Sequence, residues 1–133
     1  MKILAIDYGE KRVGLALGDT ETALALPHGV LERTADESLA NKLAQVVLEE
    51  DVGTVVVGEP MSTNGSASAQ TVATRAFAKL LQQELAVPVV LFDERFTSQR
   101  ADAAAATGAR VRSRDELAAM FLLQDYLERH LAP

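Results

Sequence analysis

Short apolar runs broken by turn residues fill the first third of the chain, and a helical period takes over after residue 33. Residues 2–6 (KILAI) read as a strand, ended by the turn Asp7-Tyr8-Gly9-Glu10. Residues 12–17 (RVGLAL) form a second strand, with Gly14 at a close-approach or bulge position. Residues 23–32 (ALALPHGVLE) form a third, which Pro27 assigns to a sheet edge. Three strands in tight succession predict an antiparallel meander.

Thr34-Ala-Asp-Glu37 has the form of a capping box, and Leu39, Leu43, Val46 and Val47 continue it at helical spacing to a stop at Gly53. Residues 54–57 (TVVV) are continuously apolar, as expected of a strand buried on both faces. A loop over 58–66 leads to a helix over 67–85, with Val72, Phe77, Leu80 and Leu81 as its apolar stripe. Residues 87–92 (VPVVLF) form a fifth strand. Thr97 or Ser98 caps a short Ala-rich helix ending at Gly108, and 109–112 is a basic loop. Ser113-Arg-Asp-Glu116 is a second capping box, opening a final helix with Leu117, Met120, Phe121, Gln124 and Leu127 inward. The order β-β-β-α-β-α-β-α-α predicts one α/β domain over 1–133, a mixed sheet with helices packed on it.

Composition narrows the function. At 133 residues and 48% hydrophobic the chain can bury a sizeable core. It has no Cys, which excludes thiolate metal sites and Cys nucleophiles. No apolar run approaches the roughly 20 residues of a membrane span, and the start lacks a secretory pattern. A cytoplasmic protein with no membrane partner is expected. The net charge of −6 argues against a nucleic-acid partner until its distribution is considered. Residues 19–51 carry eight acids against Arg33 and Lys42, whereas 95–114 carry five arginines against Asp102 alone. That asymmetry leaves a phosphate partner open.

The informative acids are Asp7, which ends the first strand, Asp93 and Glu94, which end the fifth, and Asp115, in the first turn of the last helix. If the first and fifth strands run parallel, their ends share one sheet edge, where such sheets bind ligands. Clustered carboxylates repel, and a hard divalent cation such as Mg²⁺ or Mn²⁺ relieves the repulsion. Two such ions about 4 Å apart can activate water against a phosphodiester. Each acid has a plainer alternative: turn former, helix-dipole partner or surface ion pair. Lys11, Arg12, Asn64 and the basic run Arg110, Arg112 and Arg114 are candidate phosphate contacts, or equally solvated loop residues.

The pieces Ile6-Asp-Tyr-Gly-Glu-Lys-Arg-Val-Gly-Leu-Ala16, Val57-Gly-Glu-Pro60 with Asn64-Gly-Ser66, Asp93-Glu-Arg95 with Thr97, and Asp115-Glu-Leu-Ala-Ala119 with Leu123-Gln-Asp-Tyr-Leu127 together resemble the YqgF/RuvX family of ribonuclease H-like proteins. That family is described as candidate Holliday junction resolvases and candidate pre-16S rRNA nucleases. The resemblance implies a ribonuclease H-like fold: a five-stranded mixed sheet, three antiparallel strands then two parallel, flanked by helices. It also implies metal-dependent phosphodiester hydrolysis by Asp7, Glu94 and Asp115, with Asp93 in a supporting role and Arg95 among the phosphate contacts. The chain departs from the family pattern at Glu59, where Leu is usual, and at Ser62-Thr-Asn-Gly65, where Asn-Met-Asp-Gly is usual. Its run before Asp115 is sparser and uses Arg in place of Lys.

The expected function is processing of the 5′ end of precursor 16S rRNA. The alternatives are resolution of four-way DNA junctions and a non-catalytic nucleotide- or RNA-binding module. Structured RNA or branched DNA is the expected partner. Symmetric junction cutting requires a homodimer, whereas rRNA trimming requires no dimer, so a monomer or a homodimer is expected.

Overall fold

The computed structural model describes residues 1–61, 65–93 and 114–131. Strands β1 (Lys2–Tyr8), β2 (Arg12–Asp19) and β3 (Leu24–Glu32) form the meander expected from their turns. Strands β4 (Val52–Glu59) and β5 (Val89–Asp93) extend the sheet on the other side, in the order β3-β2-β1-β4-β5. The β1–β2 and β2–β3 pairs are antiparallel, and β1–β4 and β4–β5 are parallel. Pro27 therefore lies on an edge strand, where its missing N–H costs little. The predicted helix over 97–108, its cap at Thr97 or Ser98, and the cap residue Ser113 lie outside the described residues.

Alternation along the strands sorts the core into two layers. Leu4, Ile6, Tyr8, Val13, Leu15, Val55 and Val57 pack beneath α1 (Asp36–Glu49) and α2 (Ala69–Glu84). Ile3, Ala5, Ala16, Ala25 and Val56 pack on the opposite face, against Ala119, Leu122, Leu123 and Leu127 of α3 (Arg114–Leu131). Strand β4 is apolar throughout because it contributes to both layers. The face under α3 is lined by small residues, and a methyl group added at Gly18 would stand 2.9 Å from the Leu123 side chain.

The helix ends differ from the sequence reading. The N-cap of α1 is Ala35, one residue after Thr34, and it has no side chain that can cap; the Asp36 carboxylate accepts a 2.6 Å bond from the Tyr8 hydroxyl. Nor does Gly53 stop α1: Glu50 caps the helix, Asp51 turns the chain at φ 54°, and Gly53 belongs to β4, pressed against Met1. In α2, Ser68 and Thr71 form a capping box that hydrophobicity alone did not reveal. Val72 is 62% exposed and leaves the apolar stripe. Thr71 and Thr74 take the buried face instead, and the Thr71 hydroxyl donates to the Pro60 carbonyl. In α3, Leu122 and Leu123 carry the buried stripe with Leu117 and Leu127, while Met120 and Phe121 are half-buried at its margin.

Because Leu123 is fully buried between α3 and the sheet, Leu123→Ala should cost about 2–5 kcal/mol. Leu24→Ala, on the exposed edge, should stay within about 0.5 kcal/mol. Urea unfolding of both variants beside wild type measures the difference.

Candidate active site

Asp7 is the last odd position of β1, on the face that Ile3 and Ala5 present to α3. Its register partner across the antiparallel pair is Gly14. The first turn of α3 sits directly on that glycine: a methyl group there would stand 2.0 Å from the Asp115 carbonyl oxygen. No side chain other than hydrogen fits, so Gly14 lets Asp115 approach to within one residue of Asp7. The Asp115 carboxylate also reaches the turn after β1, its Oδ1 lying 3.9 Å from where a Cβ on Gly9 would stand. The sequence placed a close approach at Gly14, and the structure identifies what approaches.

Arg12, at the start of β2, donates from Nε to Asp115 Oδ2 at 3.0 Å. Two carboxylates converging at one sheet edge repel each other, and an arginine between strand and helix offsets the repulsion. Lys11 is exposed in the adjoining turn, and Arg114 is exposed at the first position of α3.

The turn over 9–11 is itself held in place. Gly9 N–H donates to the Asp7 and Arg12 carbonyls at 3.1 and 3.0 Å. Arg33 donates to the Gly9 carbonyl at 3.1 Å, and its guanidinium lies 4.1 Å from the centre of the Tyr8 ring. Tyr8 in turn stacks on Phe77 at 4.3 Å, and its carbonyl accepts from the Gln70 amide. Burial first, and then the hydrogen bond to Asp36, push the Tyr8 phenol up to about 12. No local sequence pattern marks Tyr8, Arg33, Gln70 and Phe77 as supports of the site. Only the sequence distance between them hides the arrangement.

Other expected residues separate from this cluster. Asp93 ends β5 opposite Glu59, one position beyond Phe92, which packs with α3. Alternation therefore turns Asp93 to the face away from Asp7 and Asp115. Glu59, the departure from the family pattern, is taken up by Arg75 of α2 at 2.6 Å. Asn64, Glu94, Arg95, Arg110 and Arg112 lie outside the described residues. Among the described residues no group of three acids or imidazoles could hold an ion. Asp7 and Asp115 supply the hard oxygen donors that Mg²⁺ or Mn²⁺ prefers.

Comparison with known proteins adds a family and a fold. The family model described as "RuvX: Holliday junction resolvase" matches residues 1–129. A protein of Maridesulfovibrio salexigens, provisionally named a pre-16S rRNA nuclease, is 36% identical over 97% of this chain and 99% of its own length. One of Shouchella clausii with the same provisional name is also 36% identical, over 97% and 96%. Among solved structures, RuvC of T. thermophilus in complex with a Holliday junction substrate superposes with a TM-score of 0.67 at 15% identity, covering 99% of this chain and 97% of that one. The Fowlpox virus resolvase with Holliday junction DNA gives 0.60 at 13% identity, over 98% and 99%. These structures share the ribonuclease H-like fold.

Gly14→Ala should displace the start of α3, cost about 1–3 kcal/mol, and weaken any activity that depends on Asp115. Thermal melts and activity assays of the purified variant check both. Tyr8 yields a pH dependence. Below pH 10 both folded and unfolded chains keep the phenol proton, and the stabilisation is complete. Between 10 and about 12 only the unfolded chain loses it, so stability falls by about 1.4 kcal/mol per pH unit. Between pH 8 and pH 11, wild type should lose about 1 kcal/mol more unfolding free energy than Tyr8→Phe.

Proposed function

The chain belongs to the RuvX family of Holliday junction resolvases, and from that membership we propose a metal-dependent nuclease acting on the 5′ end of precursor 16S rRNA. One observation carries the reading: Asp7 and Asp115, 108 positions apart in sequence, meet across Gly14 at a single sheet edge. Buried or half-buried like charges are not brought together by folding alone, and a divalent cation gives them a reason to converge.

Asp7, Glu94 and Asp115 are the proposed ion-holding carboxylates. Glu94 lies outside the described residues, and its place in the set rests on the resemblance of Asp93-Glu-Arg95 to the family pattern. A bound Mg²⁺ or Mn²⁺ would supply an activated water and neutralise charge developing on the phosphate; with two ions, both attacking and leaving oxygens are stabilised. The chain's own part is to hold and steer the substrate. Arg12 is poised to exchange Asp115 for a phosphate oxygen. Lys11 and Arg114 flank it with further positive charge, and Asn64, Arg95, Arg110 and Arg112 are proposed to extend the contact along the backbone. The precursor rRNA substrate is supported by the provisional names of relatives that match this chain from end to end. Such a substrate would make the protein cytoplasmic, and no described helix is long and apolar enough to cross a membrane.

Resolution of four-way DNA junctions is the second reading, favoured by the family description. It requires paired cuts and therefore a homodimer, whereas rRNA trimming needs only one copy.

The test is cleavage of a labelled panel with Mn²⁺ or Mg²⁺: a precursor rRNA 5′ segment, a four-way DNA junction and plain duplexes. The expected outcome is cutting of the RNA, lost with EDTA and reduced more than about a hundredfold by Asp7→Asn. Symmetric nicking of the junction by a dimer would transfer the assignment to resolution. Equal cutting by Asp7→Asn would remove Asp7 from the site, and no cutting at all would favour a binding role.

A further inference from the structure

Glu116 is 2% exposed, a buried carboxylate immediately after Asp115. Its Oε2 accepts a 2.9 Å hydrogen bond from the Gly29 backbone N–H on β3. That amide is available for a reason. Gly14 pairs with Val30 and Ala16 with Pro27, so two β3 residues, His28 and Gly29, stand opposite Leu15 alone. This is a β-bulge, with Gly29 at φ 96°, and a bulge withdraws a residue from the ladder. The half-buried amide, withdrawn from the ladder, finds its acceptor in Glu116, and the buried carboxylate finds a donor.

We infer that Glu116 is the positioning residue for Asp115: by gripping the Gly29 amide it fixes the rotation and height of the first turn of α3 over the sheet. Two of its contacts fix the backbone of that turn. Gly14 sets how closely the helix backbone approaches β2, and the Glu116–Gly29 bond sets how the turn is rotated about its axis. Adjacent residues on a helix point about 100° apart, so anchoring Glu116 toward β3 directs Asp115 toward Arg12 and Asp7. The bond is charge-assisted and near a helix N-terminus, where a carboxylate is favoured. The role requires an acceptor at Oε, which glutamine also provides. The inference rests on reading Asp115 as an ion-holding carboxylate.

The test compares Glu116→Ala and Glu116→Gln in the full chain, each confirmed as folded by circular dichroism and a cooperative melt. Mn²⁺ affinity is measured by calorimetry, and kcat and KM on the precursor rRNA 5′ segment. Glu116→Ala should bind Mn²⁺ about tenfold more weakly and lose about tenfold or more in kcat, the range of a lost outer contact to a ligand. Its KM should stay within about twofold, and Glu116→Gln should keep all three values within about threefold. Wild-type Mn²⁺ affinity in Glu116→Ala overturns the inference. So does a Glu116→Gln variant as weak as Glu116→Ala, since the charge and not the bond would then be what matters. Wild type that binds Mn²⁺ but cuts nothing sinks the nuclease reading alone, because the Mn²⁺ affinities still separate the variants. Wild type that does neither sinks both. Should Glu116→Ala fail to fold, amide hydrogen exchange decides: Gly29 should be strongly protected in wild type and Glu116→Gln, and exchange at the rate of an exposed amide overturns the inference.

Discussion

The seating of α3 on a face of glycine and alanine is the constraint from which the rest of the structure follows. Gly14, Ala16 and Gly18 of β2 and Ala5 of β1 leave little side-chain volume between helix and sheet along that line. The helix therefore lies close enough for Leu122, Leu123 and Leu127 to close the second core layer. The same closeness carries Asp115 to the end of β1. Core packing and assembly of the carboxylate pair are one contact, made by one helix.

Charge explains how so acidic a chain tolerates that meeting. Arg12 sits on Asp115, and Arg33 braces the turn that follows Asp7 from the other face of the sheet. Elsewhere acids are paired locally, Glu59 with Arg75 and Asp19 with the N-terminal ammonium. The net negative charge is thus a property of the surface away from the sheet edge as much as of the site. Lys11, Arg12 and Arg114 are all exposed beside that edge.

Much of this was legible in the sequence, because it depends on period and on turn chemistry. The meander, the doubly buried β4, the edge position of Pro27 and the terminal placement of Asp7 and Asp115 all follow from local pattern. What was not legible depends on partners distant in sequence. Thr34 does not cap because the helix begins one residue later, with Ala35 at the N-cap and Asp36 tied to Tyr8, 28 positions before it. Val72 fails as core because Thr71 and Thr74 find hydrogen bonds that make polar burial acceptable. Glu116 reads as half of a capping box, and only the bulge in β3 shows where its carboxylate goes. Glu94 and the arginines at 95, 110 and 112 lie outside the described residues, so their share of the site stays with the proposal.

The bulge in β3 has a second effect, on how the protein behaves among other proteins. An edge strand with exposed Leu24 and Leu26 is the kind of surface onto which another chain's strand can add, extending the sheet into an aggregate. Here Pro27 offers no N–H, His28 and Gly29 break the regular spacing, and the Gly29 amide is turned inward to Glu116. An incoming strand would lose its register midway along β3. The irregularity beneath the helix also guards this edge of the sheet.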